Sequence, residues 1–314
     1  MKKIFRWGWI ILAIGLLMIG LGVGMHGAKE VSFDNWKPRV GQDSRVNKVY
    51  PKISKFTEID VSATEADIIF VKGSKYAVEY SGRTKYKPSV RVENQKLIVR
   101  QTKSGSNEFH LSFGYNDNSE SAERIIVSVP QDVSLDRVKA KSTLGDIKVN
   151  DREINDLELT SNAGDIGLSN VTASKVEISA SDGDLALNKV HLNSGTISQK
   201  NGDMMLKTGE VSQVKVQNQD GDVSYSDVKL NNGSLEMQDG DFEADRISVV
   251  GSYSVNNSDG DNIVRNSQAG GYHLTTSGGT NKLYGRSSEN DMVQNNEKSN
   301  ILRMLTNDGN NEVK

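Results

Sequence analysis

The sequence predicts an all-β protein, a β-solenoid with coils of about 19 residues, preceded by one N-terminal transmembrane helix. Three observations carry this. Gly-Asp pairs at Gly145-Asp146, Gly164-Asp165, Gly183-Asp184, Gly202-Asp203, Gly221-Asp222 and Gly240-Asp241 recur at one fixed interval. Within each unit, apolar residues fall at alternate positions, the pattern of a half-buried strand. Residues 7–25 carry no charge. A repeat of this size marks a stacked architecture, because one unit cannot bury its apolar face alone.

Each repeat contains three apolar steps. The first is Leu157 with Leu159, Val176 with Ile178, or Val214 with Val216. A polar corner ending in Gly-Asp follows. The second step is Ile147 with Val149, Ile166 with Leu168, Leu185 with Leu187, Met204 with Leu206, or Val223 with Tyr225. The third is Val190 with Leu192, Val228 with Leu230, or Ile247 with Val249. Like steps stack on like.

Taken in order, residues 1–28 form a basic flank (Lys2, Lys3, Arg6) and an apolar anchor. Nineteen uncharged residues at 1.5 Å rise span roughly 28 Å, close to the hydrocarbon thickness. The basic flank places the N-terminus in the cytoplasm and the rest outside, a single-pass cell-membrane topology. The rival reading is a cleaved signal peptide, but no clean small-residue cleavage site follows. Gly20 and Gly24 have the spacing of a helix-pairing motif, which is also common in membrane helices generally.

Residues 29–52 are polar, punctuated by Pro38, Gly41 and Pro51, and read as a linker. Residues 53–137 form an N-terminal β region. It opens on a degenerate first coil in which Ala66-Asp67 replaces Gly-Asp between Ile59-x-Val61 and Ile68-x-Phe70. Strands are expected at Tyr76–Tyr80, Val90–Gln101 and Arg124–Pro130, with a turn at Asn94-Gln95. Residues 138–284 hold the regular repeats. The seventh pair, Gly260-Asp261, comes one residue late, and Gly278-Gly279 carries Thr280 in place of Asp. Residues 285–314 hold an irregular polar insertion, a candidate cap, and a terminal partial coil at Leu302-x-Met304 and Asp308-Gly309. An uncapped coil would leave unpaired strand edges.

Composition narrows the function classes. The chain has no cysteine, so neither disulfides nor thiolate zinc sites stabilise it. Beyond residue 28 it carries 35 basic against 41 acidic residues and no basic run, which argues against nucleic acid. His26, His110, His191 and His273 are scattered, with no metal-binding spacing. No nucleophile elbow or phosphate-binding glycine loop is present.

Two acid columns are the candidate metal site. Asp146, Asp165, Asp184, Asp203, Asp222, Asp241 and Asp261 follow the glycines; Asp182, Asp220, Asp239, Asp259 and Asp308 precede them. Stacked carboxylates repel by about 1 kcal/mol per pair even in water, which invites a cation such as calcium. The strongest site is expected at Asp220, Asp222, Asp239, Asp241, Asp259 and Asp261. The plainer reading gives glycine the positive φ of a corner and aspartate a bond to the turn's own N–H. No other cofactor is expected.

A further column, Ser142, Ser161, Gln199, Asn218 and Asn257, suits hydrogen-bonded stacking inside the corner. Its outward neighbours Asn162, Lys200, Gln219 and Gln238 offer a flat polar face for glycan or peptide.

The residues Phe56–Phe70 (FTEIDVSATEADIIF), Ile125–Pro130 leading into Ser142–Val149, and the later Gly-Asp coils resemble the bacterial "putative adhesin" β-strand-repeat family, whose domain has no assigned biochemical function. The resemblance covers about residues 53–284. It implies a membrane-tethered or secreted β-solenoid, found in Gram-positive bacteria among envelope-stress genes. The expected function is therefore non-catalytic: an envelope protein binding a cell-wall, peptide or envelope-protein ligand in adhesion or stress response. The alternative is a secreted glycan-active β-helix enzyme, for which Asn257–Asp261 faintly echoes a pectin-hydrolase acid cluster. Uniform coils favour the first.

Overall fold

A computed structural model describes residues 31–34, 37–40, 45–51, 53–102, 109–111 and 123–314, together with Gly15 and Met18. It corrects the localisation. Crossing a bilayer takes about 20 apolar residues in one helix. Among the described residues no helix is long and apolar enough to do so. Apart from Gly15 and Met18, the expected span 7–25 lies outside the described residues. The single-pass assignment is withdrawn on that ground.

Two units are distinct. The smaller contains a three-stranded antiparallel sheet of Val31–Asp34, Lys37–Val40 and Phe109–Leu111, in the register Val31 to Val40 and Val31 to Leu111. Part of the expected linker is thus strand.

The larger unit is β-solenoid-like. Its coils pair in parallel one repeat apart: Ile147 with Ile166, Leu157 with Val176, Ile154 with Ala173. The same register continues through Ile166 to Leu185, Leu185 to Met204 and Met204 to Val223. The alternation explains the burial. Leu157, Leu159, Ile166, Leu168, Val190 and Leu192 all face inward and are buried, while the residues between them reach solvent.

Corners alternate in chemistry. After the second step the chain takes a left-handed residue without glycine: Asp151, Asn170, Lys189, Thr208, Asp227 and Arg246 have φ of 52–58°. At the Gly-Asp corner glycine is needed for close approach as well as dihedral freedom. Gly240 has φ 116°, and a Cβ there would lie 2.3 Å from the Gly221 carbonyl oxygen of the coil below. Gly145 and Gly164 lack the positive φ but share the tight approach.

Stack order departs from chain order at both ends. At the start, Glu58–Ala63 lies between Lys96–Arg100 and Leu135–Ser142, and Asp67–Gly73 lies between Arg124–Pro130 and Ile147–Val149. The degenerate coil is therefore second in the stack. Ala77–Arg83 and Ser89–Glu93 turn back antiparallel over the outermost coil. Asn94 and Gln95, both with positive φ, make the turn into Lys96–Arg100.

At the far end, Ile301–Asp308 lies between Ser252–Asp259 and Gly271–Thr276. Asn311–Val313 lies between Asn262–Val264 and Asn281–Leu283. The irregular segment supplies the cover: Arg286–Ser288 and Met292–Gln294 pair antiparallel with the outermost coil.

Candidate functional site

The Gly-Asp column builds a ladder of hydrogen bonds between coils. The Asp165 backbone N–H donates to Asp146 Oδ1 at 3.0 Å, Asp184 to Asp165 at 2.9 Å, Asp203 to Asp184 at 3.0 Å, Asp222 to Asp203 at 3.0 Å and Asp241 to Asp222 at 2.9 Å. It continues through Asp261 and Asn310 to Thr280, in stack order. The bond expected within each turn runs instead to the next coil. A short side-chain acceptor one coil below an N–H explains why Asp, or Asn in one coil, recurs there.

The second acid column is different. Asp220, Asp239, Asp259 and Asp308 pair in successive coils, Asp220 with Asp239, Asp239 with Asp259 and Asp259 with Asp308. Partial desolvation, then the charges of Asp259 and Asp220, hold the Asp239 carboxyl above the usual carboxylate range. The structure thus places Asp222, Asp241 and Asp261 in one ladder and Asp220, Asp239 and Asp259 in another. Among the described residues no three His, Asp or Glu side chains converge to hold a metal ion.

The buried Ser/Asn/Gln column bonds corner backbone, not its own members: Ser142 Oγ accepts from the Gly145 N–H at 3.0 Å, and the other four donate to corner carbonyls. Ser161 Oγ donates to the Gly164 carbonyl at 2.9 Å, Asn218 Nδ2 to Gly221 at 2.9 Å and Asn257 Nδ2 to Gly240 at 2.9 Å. Gln199 Nε2 reaches Gly183 at 2.8 Å. A glycine corner turns its carbonyl inward, so an inward amide or hydroxyl is the residue that satisfies it.

A true amide stack stands elsewhere. Asn262 Nδ2 donates to Asn311 Oδ1 at 2.8 Å, and Asn311 Nδ2 to Asn281 Oδ1 at 2.9 Å, all three residues fully buried. Sequence reasoning missed it. Its signal is an Asn two residues after the last corner glycine of each coil, in Gly260-Asp-Asn262, Gly279-Thr-Asn281 and Gly309-Asn-Asn311.

Outside this corner, four successive coils form a groove of about 540 Å³ running along the stack. One wall is the column Ser179, Ser198, Gln217 and Glu236, in direct register. The other is Ser181, Lys200, Gln219 and Gln238, and the floor is Ala180, Gln199, Asn218 and Met237. Lys200, Gln219 and Gln238 of the expected polar face lie here; Asn162 does not line it. The Ser198–Gln217–Glu236 wall was not singled out from the sequence, although it lies two residues before the expected row. Glu236 accepts from Lys215 at 2.8 Å and from Gln217 Nε2 at 3.2 Å.

The family profile of Toastrack DUF4097 matches residues 56–214 and again residues 176–314. The chain belongs to this family. No curated protein matches the chain. Solved structures similar to this Toastrack chain include a "putative adhesin" from Bacteroides fragilis, 14% identical over 87% of this chain and 98% of that one, with a TM-score of 0.45. A "putative lipid binding protein" from Parabacteroides distasonis is 16% identical over 87% and 98%, with a TM-score of 0.49. A "putative adhesin" from Parabacteroides merdae is 12% identical over 87% and 98%, with a TM-score of 0.40. In this Toastrack stack, His191 lies on an outward, exposed column and His273 sits 3.5 Å from Asp291, apart from each other and from the groove.

Proposed function

We propose that the protein is a non-catalytic binding protein of the cell envelope, and that its polar groove holds an extended glycan along the stack. The observation that carries this is the pair of walls continued over four coils, each bearing hydroxyls and amides at every position but one, Glu236 in the first and Lys200 in the second. Hydroxyl and amide side chains both donate and accept, as sugar hydroxyls require. Peptide is disfavoured by the backbone: the strands beneath the groove already pair with a neighbour on each side, leaving no edge for an added strand. Adhesion to an envelope polymer and sensing of its state both need a site of this kind.

The enzymatic alternative needs two carboxylates about 6.5–9.5 Å apart for inversion, or about 5 Å apart for retention. Glu236 is the one acid among the residues lining the groove, and Lys215 already holds it. That supports binding over turnover.

The test is a titration of the full chain against soluble peptidoglycan and wall-polysaccharide fragments, with a Gln217→Ala, Gln219→Ala, Gln238→Ala variant. Binding to one glycan class should fall at least tenfold in the variant with its melting temperature unchanged. Undiminished binding would remove the groove from the function. Release of new reducing ends would favour the enzyme.

A further inference from the structure

The inserted coil near the C-terminal end is held by its neighbours more than by its own connection. Ile301–Asp308 pairs along Ser252–Asp259 on one side and along Gly271–Thr276 on the other. Leu302 and Met304 enter the core, and the Asn311 amide links Asn262 to Asn281. Withdrawing it would leave two facing parallel edges and two buried amides without their shared partner. Unpaired edges and unsatisfied buried polar groups are both costly, so the slot must be filled. It is shaped for one sequence.

The connection is slight by comparison. Residues 295–299 are all exposed. Asn300 anchors their end, its carbonyl accepting from Gly270 N–H at 2.7 Å and Gly271 N–H at 3.0 Å, its Oδ1 from Gly251 N–H at 3.1 Å. This segment carries the chain from the outermost strand, Met292–Gln294, past the coil at Gly271–Thr276 to the coil inside it. That crossing covers two strand spacings, roughly 10 Å.

We propose that residues 301–313 exchange between two copies of this chain, each copy's coil filling the other's slot. A second copy is the partner that fits, because the exchanged coil remakes every ladder bond, the Asn stack and the core contacts. Only the path of residues 295–300 differs. Exchange of an identical element is a low-cost route to a dimer. The short tether gives intrachain insertion a high effective concentration, so the dimer forms when chains refold crowded or when the tether loses its slack. Six residues reach about 20 Å when extended and three reach about 10 Å. Deleting residues 296–298 therefore removes that slack.

The absence of native cysteine makes a clean test. Asn256 and Leu305 are register partners on the outward face. The full chain carrying Asn256→Cys and Leu305→Cys is unfolded, refolded over a hundredfold range of concentration, oxidised and run without reductant. Glu236→Cys with Asn256→Cys, register partners in two coils stacked in chain order, is the control. The expected result is a covalent dimer for the 256–305 pair only, rising with concentration and increased severalfold by deletion of residues 296–298. A 256–305 link that stays within one chain throughout, deletion included, would overturn the proposal. So would interchain linking of the control pair, since association would then not be confined to the inserted coil.

Discussion

Gly240→Ala perturbs the stack at one of its close-packed corners. The new Cβ would stand 2.3 Å from the Gly221 carbonyl oxygen, and its backbone has φ 116°. Strain in that dihedral region costs about 1–3 kcal/mol, and forcing the coils apart costs about 1–3 kcal/mol more. A total near 4 kcal/mol corresponds to roughly 8–16 °C of melting temperature for a unit of this size. Gly167→Ala is the matched comparison. A Cβ there meets only the flexible Lys148 side chain, at 3.7 Å. Loss of unfolded-chain freedom should then stabilise it by about 0.4–1 kcal/mol. Both variants are melted by circular dichroism beside the parent. If Gly240→Ala melts within a degree of Gly167→Ala, the close approach of corners does not limit coil spacing and the reasoning fails.

Leu187, buried between Leu168 and Leu206, should not tolerate Leu187→Asp, which leaves an unpaired charge inside and costs several kcal/mol. Lys189→Asp, exposed at a left-handed corner that Asp accepts well, should change urea stability by no more than about 0.5 kcal/mol; equal midpoints would refute the column assignment. Asp239 tests the acid row by pH. Its folded-state carboxyl holds a proton more tightly than the unfolded one, so the penalty is absent at pH 3 and grows as pH rises through the raised value. Asp239→Asn should raise the melting temperature at pH 7 and leave it unchanged at pH 3, and a gain of the same size at both would point to packing instead.

Much of the coil was legible because its chemistry repeats. Apolar steps such as Leu185-x-Leu187 and Val190-x-Leu192 state which side faces inward, and the evenly spaced Gly-Asp corners state where the chain turns. The same uniformity hid the ends. A coil written Leu302-x-Met304 and Asp308-Gly309 suits a place beside the coil at Gly260 as well as one beyond Gly279, because like columns meet either way. Its true position depends on the reach of residues 295–300 and on three buried Asn side chains, neither of which a period reports. The Asp ladder was legible as a column but not as a bond between coils, since a turn's own N–H and a neighbour's N–H call for the same residue. The groove was half legible: Lys200, Gln219 and Gln238 stood out by their place beside the corner. Ser198 and Gln217 read as ordinary outward strand positions until four coils were set in register.

The sandwiched coil bears on how the stack yields to force. Tension applied beyond Val313 would peel an ordinary outermost coil from a single neighbour, one ladder bond at a time. Here the load falls on a coil held along both of its sides, with the Asn262–Asn311–Asn281 chain beneath it. Pulling along its strands must shear two ladders at once. The covered coil beside it bears no load until then, so this end of the solenoid resists unravelling as a latch does, failing late and abruptly instead of fraying.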